Sequence, residues 1–167
     1  MKKVALVYIF LSAQIFGQNI SLFNPQINYD LVGGFYDIDS IRELSINFYN
    51  PNYHNTLVNS FFFNSSLRIP ATVELNGEVF DSVGVRYKGN STFCIPNDNG
   101  VPKVPYNLDM NYWVSGQKLM NYKKVKLANG YLDATFAREH LASEIYQNYL
   151  PSPEVNLTKL NVQGNYL

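Results

Sequence analysis

The stretch IPATVELNGEVFDSVGVRYKGNST, residues 69–92, decides the fold that the sequence predicts. On both sides of Asn76-Gly77, apolar residues alternate with polar ones, and this dipeptide is favoured in two-residue hairpin turns. A period of two puts the apolar side chains on one face of an extended strand. The stretch therefore predicts a β-hairpin whose buried face carries Ala71, Val73, Leu75, Val79, Val83, Val85 and Tyr87.

The end of this hairpin, GVRYKGNST (residues 84–92), nearly matches the phosphate-binding loop G-x-x-x-x-G-K-[ST], with Asn90 in place of the lysine. In that loop the residues between the glycines wrap a phosphate, and a helix follows. Here they continue the strand, and TFCIPNDNGVPKVP, with three prolines, predicts no helix. We interpret the segment as a strand that carries Arg86 and Lys88 on its polar face and ends in a turn. The turn is either an anion site or a solvated hairpin end.

The composition is balanced in charge, with 13 basic and 13 acidic residues among 167. A net charge of zero gives no global field that would attract nucleic acid or an anionic membrane surface. Aromatic residues make up 15%, which suits a β-rich fold or an adhesive extracellular surface. Cys94 is the single cysteine, so the chain cannot form an internal disulfide. The length fits one domain or part of a larger one.

The N-terminus has the pattern of a secretory signal peptide. Lys2 and Lys3 precede an apolar run over residues 4–11 that is too short for a comfortable membrane span. We expect residues 1–17 to be removed near Gly17-Gln18, and the alternative is a buried N-terminal strand or helix. The predicted destination is extracellular, cell-surface or periplasmic, with no membrane attachment after cleavage. Residues 18–37 are polar and turn-rich, which indicates a linker.

Residues 38–167 predict an α+β domain: a mainly antiparallel sheet with one main helix. Besides the hairpin, strands are predicted within residues 40–48, 104–112, 122–129 and 154–162, with a short helix over residues 56–63. Asn129-Gly130 predicts a turn. The main helix lies in DATFAREHLASEIYQNYL, residues 133–150, with Asp133 as its N-cap. Its apolar stripe consists of Phe136, Leu141, Ile145 and Tyr149.

The candidate chemistry lies in the charges of the strands and the helix. His54 and His140 are too far apart in sequence to suggest a metal site, and no nucleophile elbow is present. In kinase-like N-lobes a strand lysine holds the α- and β-phosphates and is fixed by a carboxylate on the next helix. The spacing of Lys126 and Glu139 permits such a pair. The strand cations are Arg86, Lys88, Lys103, Lys124 and Lys126.

Four successive blocks of the sequence are GVRYKGNST, the segment from Lys103 through PYNLDM, KKVKLANGYLDATFAREHLASEIY and LPSPEVNLTKLNVQGNYL. Taken in this order, they resemble the CotH kinase family, which is named for a spore-coat protein. The resemblance covers residues 38–167, and the family's next Gly-x-Tyr is missing because the chain stops. It implies the N-lobe of a protein-kinase-like fold, truncated before its C-lobe. It also implies an exported, atypical kinase that transfers phosphate from ATP, with Mg²⁺, to Ser/Thr-rich protein targets.

The resemblance also implies a set of nucleotide-binding residues. Lys103 and Lys126 are candidates for the lysine that contacts phosphate, Lys88 is a third, and Glu139 is the possible orienting carboxylate. The strand end and turn would form or brace the nucleotide side of the cleft through Arg86, Lys88, Gly89, Asn90 and Ser91.

Catalysis by this chain alone is not expected. Phosphoryl transfer needs carboxylates that hold Mg²⁺ and orient the acceptor hydroxyl, and in kinase-like folds these lie in the C-lobe. Asp98, Asp109 and Asp133 do not fit that role by position. The alternative function is an extracellular binding or adhesion module without catalysis, whose partner would be a protein or a surface.

Overall fold

The computed structural model describes residues 32–167. The predicted signal peptide and residues 18–31 of the predicted linker lie outside the described residues. The last part of that linker packs on the domain, because Arg42 Nε donates to the Phe35 carbonyl at 3.2 Å. Asn156 Nδ2 donates to the carbonyls of Asp37 at 2.6 Å and Ser40 at 3.0 Å. These bonds fix residues 35–40 against the C-terminal part of the chain.

Residues 32–167 form seven strands and three helices. The strands are β1 Arg42–Phe48, β2 Ile69–Leu75, β3 Glu78–Tyr87, β4 Tyr106–Asp109, β5 Lys124–Leu127, β6 Thr158–Val162 and β7 Asn165–Tyr166, and the helices are α1 Tyr53–Phe63, α2 Ser91–Asp98 and α3 Arg138–Gln147. The strands make one sheet in the order β5-β4-β3-β2-β1-β6-β7. All neighbours are antiparallel except β1 and β6, which confirms the predicted α+β class. No helix in this part of the chain has the length and apolar character needed to cross a bilayer.

The β2–β3 hairpin forms at the predicted turn. Asn76 and Gly77 have φ values of 49° and 90°, the left-handed conformation that a two-residue hairpin turn requires. Phe80 and Val83 pair with Val73 and Ala71, which are only two positions apart in β2. The stretch of β3 between Phe80 and Val83 therefore contains one extra residue. This β-bulge shifts the alternation of faces. Val79, predicted to be buried, is therefore 62% exposed, and Phe80 occupies the buried position.

The core covers one face of the sheet, as the alternation predicts. The predicted helix over residues 56–63 is present as part of α1, and its Leu57 is buried against this face. The Tyr53 ring stacks on Phe48 at a centroid distance of 4.2 Å, and Phe93 of α2 packs 4.9 Å from the Tyr87 ring. Burying each such side chain contributes about 1.5–3 kcal/mol. The predicted inward residues of β4 and β5 are buried too: Tyr106, Leu108, Val125 and Leu127.

The helix α2 contradicts the prediction that the proline-rich segment has no helix. Pro96 lies inside α2, where it cannot donate the usual backbone hydrogen bond to the Thr92 carbonyl. The buried side chain of Asn129 supplies the missing donor, because its Nδ2 lies 2.9 Å from that carbonyl oxygen. The prediction was wrong because the compensating donor lies far along the chain.

The main helix α3 is shorter than predicted and presents a different face to the domain. The helix begins at Arg138, whose backbone N–H donates to Asp133 Oδ2 at 2.9 Å. The predicted cap residue, Asp133, therefore accepts a hydrogen bond from the first turn although it is not adjacent to the helix. Leu141 and Ile145 of the predicted apolar stripe are 57% and 60% exposed, whereas Ser143 is buried. The stripe therefore faces solvent rather than the sheet.

The face of the sheet opposite the core carries a buried ionic cluster. Arg68, next to the start of β2, donates through Nη1 to the carbonyls of Gly84 and Asn107, both at 2.9 Å, and through Nη2 to Asn107 Oδ1 at 3.1 Å. Its Nε lies 3.8 Å from Asp109 Oδ2, which also lies 3.2 Å from Lys124 Nζ. The cluster joins the start of β2 to β3, β4 and β5.

Candidate functional site

A cleft of about 570 Å³ opens between two distant parts of the sheet. One wall comes from β5 and residues 128–130, and the other from residues 153–158 and β6. Glu139 and His140, in the first turn of α3, also line the cleft. The size is in the range of small-molecule sites, which are typically about 300–1,000 Å³.

Four lysines line the cleft. Lys88 follows β3, Lys103 precedes β4, and Lys124 and Lys126 belong to β5, so the antiparallel pairing of these strands brings them together. The charge of Lys124 is offset by Asp109. The other three form no ion pair within 4.0 Å in the described part of the chain. Free ammonium groups at one cleft make an anion the preferred ligand.

Lys88 is half-buried among other charged groups of the cleft. Burial lowers the pKa of its ammonium, the neighbouring Lys126 lowers that pKa further, and the carboxylate of Glu139 acts against both. Lys88 and Glu139 therefore interact, although at a distance longer than an ion pair. A half-buried ammonium with a lowered pKa gains from the arrival of an anion, because the anion stabilises its charged form.

Two of the three cleft carboxylates are already engaged. Asp133 accepts hydrogen bonds from the Thr135 hydroxyl at 2.6 Å and from the Arg138 backbone N–H, and these bonds lower the pKa of Asp133. Arg138 Nε also lies 3.5 Å from Asp133. Glu154 Oε2 accepts a hydrogen bond from the Tyr122 hydroxyl at 2.6 Å. Since Lys124 is offset by Asp109 and Asp133 by Arg138, three lysine side chains face the two side-chain carboxylates of Glu139 and Glu154, and the cleft side chains keep a net positive charge.

His140 has a defined tautomer in its neutral form. Its Nδ1 lies 2.9 Å from the Val155 carbonyl oxygen, and a carbonyl can only accept, so Nδ1 carries the proton. Nε2 is then a hydrogen-bond acceptor at the cleft. No sequence pattern predicts His140 at this cleft, because its partner Val155 lies in a segment without regular secondary structure.

The structure brings together half of the predicted site residues. Lys88, Lys103, Lys126 and Glu139 line the same cleft. Arg86 does not: its guanidinium donates to the Ser65 carbonyl, and its buried Nε has no hydrogen-bond partner among residues 32–167. The remaining three predicted residues, Gly89, Asn90 and Ser91, form the turn into α2 and are not part of the lining.

Sequence reasoning missed one residue that builds the cleft. Asn129, which was predicted as a turn residue, is buried in the cleft wall. Its Nδ2 donates to the Thr92 carbonyl and, at 3.0 Å, to the Lys103 carbonyl. Asn129 thus fixes the backbone of a cleft lysine. The Asn-Gly dipeptide resembles a turn in sequence, and no local signal distinguishes this role.

Comparisons of the chain with protein-family models, with curated proteins and with solved structures found no match. The resemblance to the CotH kinase family therefore rests on the sequence blocks alone.

Proposed function

We propose that the cleft binds the polyphosphate of a nucleotide, and that the chain is the nucleotide-binding part of an exported CotH-like protein kinase. The observation that carries the proposal is the meeting of Lys88, Lys126 and Glu139 at one cleft. A lysine near the phosphates and a helix carboxylate near that lysine are the parts that kinase-like N-lobes use. Of the three candidate lysines, the proposal favours Lys88, because it is half-buried in the cleft that Glu139 lines and the charge of Glu139 raises its pKa against the effect of burial.

The residues fit ATP better than they fit an independent metal ion. Within residues 32–167, no three His, Cys, Asp or Glu side chains form a group that could hold a metal. A Mg²⁺ bound to a triphosphate needs only one or two carboxylates, because phosphates and water supply its other ligands. In this proposal Glu139 orients Lys88, and the carboxylates that would hold Mg²⁺ belong to the C-lobe of a complete domain. When bound, Mg²⁺ would neutralise phosphate charge. Phosphate transfer to a Ser/Thr-rich protein is proposed for a complete domain. We expect this chain alone to bind the nucleotide without transferring phosphate.

Titration of the full chain with ATP and with tripolyphosphate, followed by backbone NMR, tests this proposal. We expect saturable shifts around the cleft with a dissociation constant of about 1 mM or lower. The double variant Lys88→Met/Lys126→Met should bind at least about 100-fold more weakly, because each lost hydrogen bond to a charged group contributes about 1.5–3 kcal/mol.

The matched control is Lys118→Met/Lys159→Met, which removes the same charge at two exposed lysines outside the cleft. It should bind tripolyphosphate as the unchanged chain does. Equal weakening in both double variants would show that only the net charge matters, and the proposal would then be abandoned.

The exposed apolar surface of α3 favours a second candidate, the binding or adhesion module. Large side chains on and just after this helix are exposed: Leu141, Ile145, Tyr146, Tyr149 and Leu150. Exposed apolar patches often mark interaction sites. A chain with only this function would bind no polyphosphate in the titration above, so the same experiment separates the two candidates.

A further inference from the structure

The strand β5 (Lys124–Leu127) forms one edge of the sheet, and its outer side is unpaired. Among residues 32–167, β5 has β4 as its only strand neighbour. The strand at the other edge, β7, is only two residues long. An edge strand presents a row of unpaired N–H and C=O groups, which can pair with a strand from another chain. Of the two edges, β5 is therefore the better template for an added strand.

The strand register shows which backbone groups of β5 face outward. In an antiparallel pair of strands, residues that exchange hydrogen bonds alternate with residues that do not. The Met110 N–H donates to the Lys123 carbonyl at 2.8 Å, so these two residues form a hydrogen-bonded pair, and Val125 belongs to the next one. Lys124 and Lys126 flank Val125 and occupy the non-hydrogen-bonded positions. Their N–H and C=O groups therefore point away from β4, and we call these groups the β5 edge.

The cleft runs along the β5 edge. Lys126 and Leu127 both line the cleft, although the first side chain is exposed and the second is buried on the opposite face of the strand. Successive residues of a strand line one cleft when the cleft meets the strand at its edge, because their side chains point to opposite faces. Across the cleft, residues 153–157 run without regular secondary structure. The cleft therefore leaves room beside the β5 edge for an extended segment.

The side chains of β5 make this edge selective. Lys124 and Lys126 are exposed on one face, and within the described residues their only ion pair within 4.0 Å is that of Lys124 with Asp109. A second copy of this strand would bring like charges together, which disfavours pairing of the chain with itself. On the other face, Val125 and Leu127 are apolar. A strand in which acidic residues alternate with β-branched apolar residues would match both faces.

We infer that the β5 edge binds an extended, acidic segment of a partner protein as an added strand of the sheet. In this recognition mode, main-chain hydrogen bonds to Lys124 and Lys126 supply the affinity, and the ammonium groups of these residues select acidic side chains. The inference goes beyond the proposed function and does not rest on it, because the added strand pairs with backbone groups rather than with a nucleotide.

Titration of the full chain with an octapeptide of alternating Glu and Val tests the inference. In the added strand, the Glu residues would lie opposite the two lysines, and their N–H groups would donate to the lysine carbonyls. The matched control peptide carries an N-methyl group on each Glu amide, so it keeps the charge and loses these donors. We expect the unmodified octapeptide to bind about 10-fold more tightly than the N-methylated one.

Amide hydrogen exchange of the chain, measured by NMR, detects the same contact from the protein side. Saturation with the octapeptide should slow the exchange of the Lys124 and Lys126 N–H groups by at least about 10-fold, because these groups become hydrogen-bonded. The Val125 N–H already belongs to the ladder with β4 and serves as the internal reference.

A pair of variants separates the backbone of the β5 edge from its charge. Lys124→Pro removes an outward N–H, at a position where an edge strand tolerates proline because this group faces away from the sheet. Lys124→Gln is the matched control, since it removes the same charge and keeps the N–H. Lys124→Pro should bind the octapeptide about 5-fold more weakly than Lys124→Gln does.

Equal binding of the two peptides would show that charge alone attracts them, and it would overturn the inference. Absence of binding, unchanged exchange of the Lys124 and Lys126 N–H groups at saturation, or equal affinities of Lys124→Pro and Lys124→Gln would overturn it too. The proposed function is decided separately by the tripolyphosphate titration, which involves no peptide. Should Lys124→Pro fail to fold, the N-methylated peptide and the exchange measurement on the unchanged chain decide.

Discussion

Replacing Asp109 by Ala should cost about 3–5 kcal/mol of unfolding free energy, the largest effect that we expect from a single substitution. Asp109 is the carboxylate partner of Arg68, and the two side chains are only 9% and 7% exposed. Burial lowers the pKa of the Arg68 guanidinium, and the charge of Asp109, whose Oδ2 lies 3.8 Å from Arg68 Nε, acts against this. Removing one member of a buried pair leaves an uncompensated charge and typically costs about 3–5 kcal/mol. Urea denaturation measures the loss.

Two companion variants separate charge burial from other causes. Lys124→Gln removes the second partner of Asp109. The Lys124 side chain is 64% exposed, so this change should cost less than about 1 kcal/mol of unfolding free energy. Arg68→Met/Asp109→Ala removes both buried charges and should recover part of the loss seen in Asp109→Ala. A loss below about 1 kcal/mol in Asp109→Ala, or no recovery in the double variant, would contradict this account of the cluster.

Asn129→Leu should cost about 2–4 kcal/mol. The substitution keeps the size of the side chain but removes the Nδ2 donor from the carbonyls of Thr92 and Lys103. Each buried polar group that loses its partner costs about 1–3 kcal/mol. Unfolding in urea, followed by circular dichroism, gives the value.

The role of Pro96 supplies the control for this prediction. In a Pro96→Ala background, the new backbone N–H can donate to the Thr92 carbonyl, so Asn129→Leu leaves one unpartnered carbonyl instead of two. The cost of Asn129→Leu should therefore be smaller by about 1 kcal/mol in that background. Strictly additive effects would show that Asn129 does not replace the bond that Pro96 lacks.

The local pattern predicted the sheet well. The hairpin follows from alternation and from Asn76-Gly77, since both act between residues that are close in sequence. The solvent exposure of Val79 could not be predicted, because the β-bulge that exposes it depends on how β3 pairs with β2. The helix α2 was missed for a similar reason: the sequence shows Pro96 but not the side chain of Asn129 that compensates for it.

The candidate site was predictable in type but not in arrangement. The residue pattern suggested a lysine paired with Glu139, and the structure places three candidate lysines in the same cleft. The fold adds that the charge of Glu139 acts on Lys88, and the pairing of Glu139 with Lys126 stays a prediction. The Arg68 cluster was not predicted, since its contacts depend on strand register. The exposure of the α3 stripe was unforeseen because amphipathic periodicity does not say which face meets the sheet.

The pKa of the Lys88 ammonium, measured by NMR with and without tripolyphosphate, tests the central claim most directly. Its folded-state pKa is lowered, chiefly by burial, so stability should rise with pH between that value and the ordinary lysine value, where the unfolded chain binds more protons. A polyphosphate held by Lys88 stabilises the charged form of its ammonium, so saturation should raise the pKa of Lys88. An unchanged Lys88 pKa at saturation would contradict the account, because the anion would then bind elsewhere.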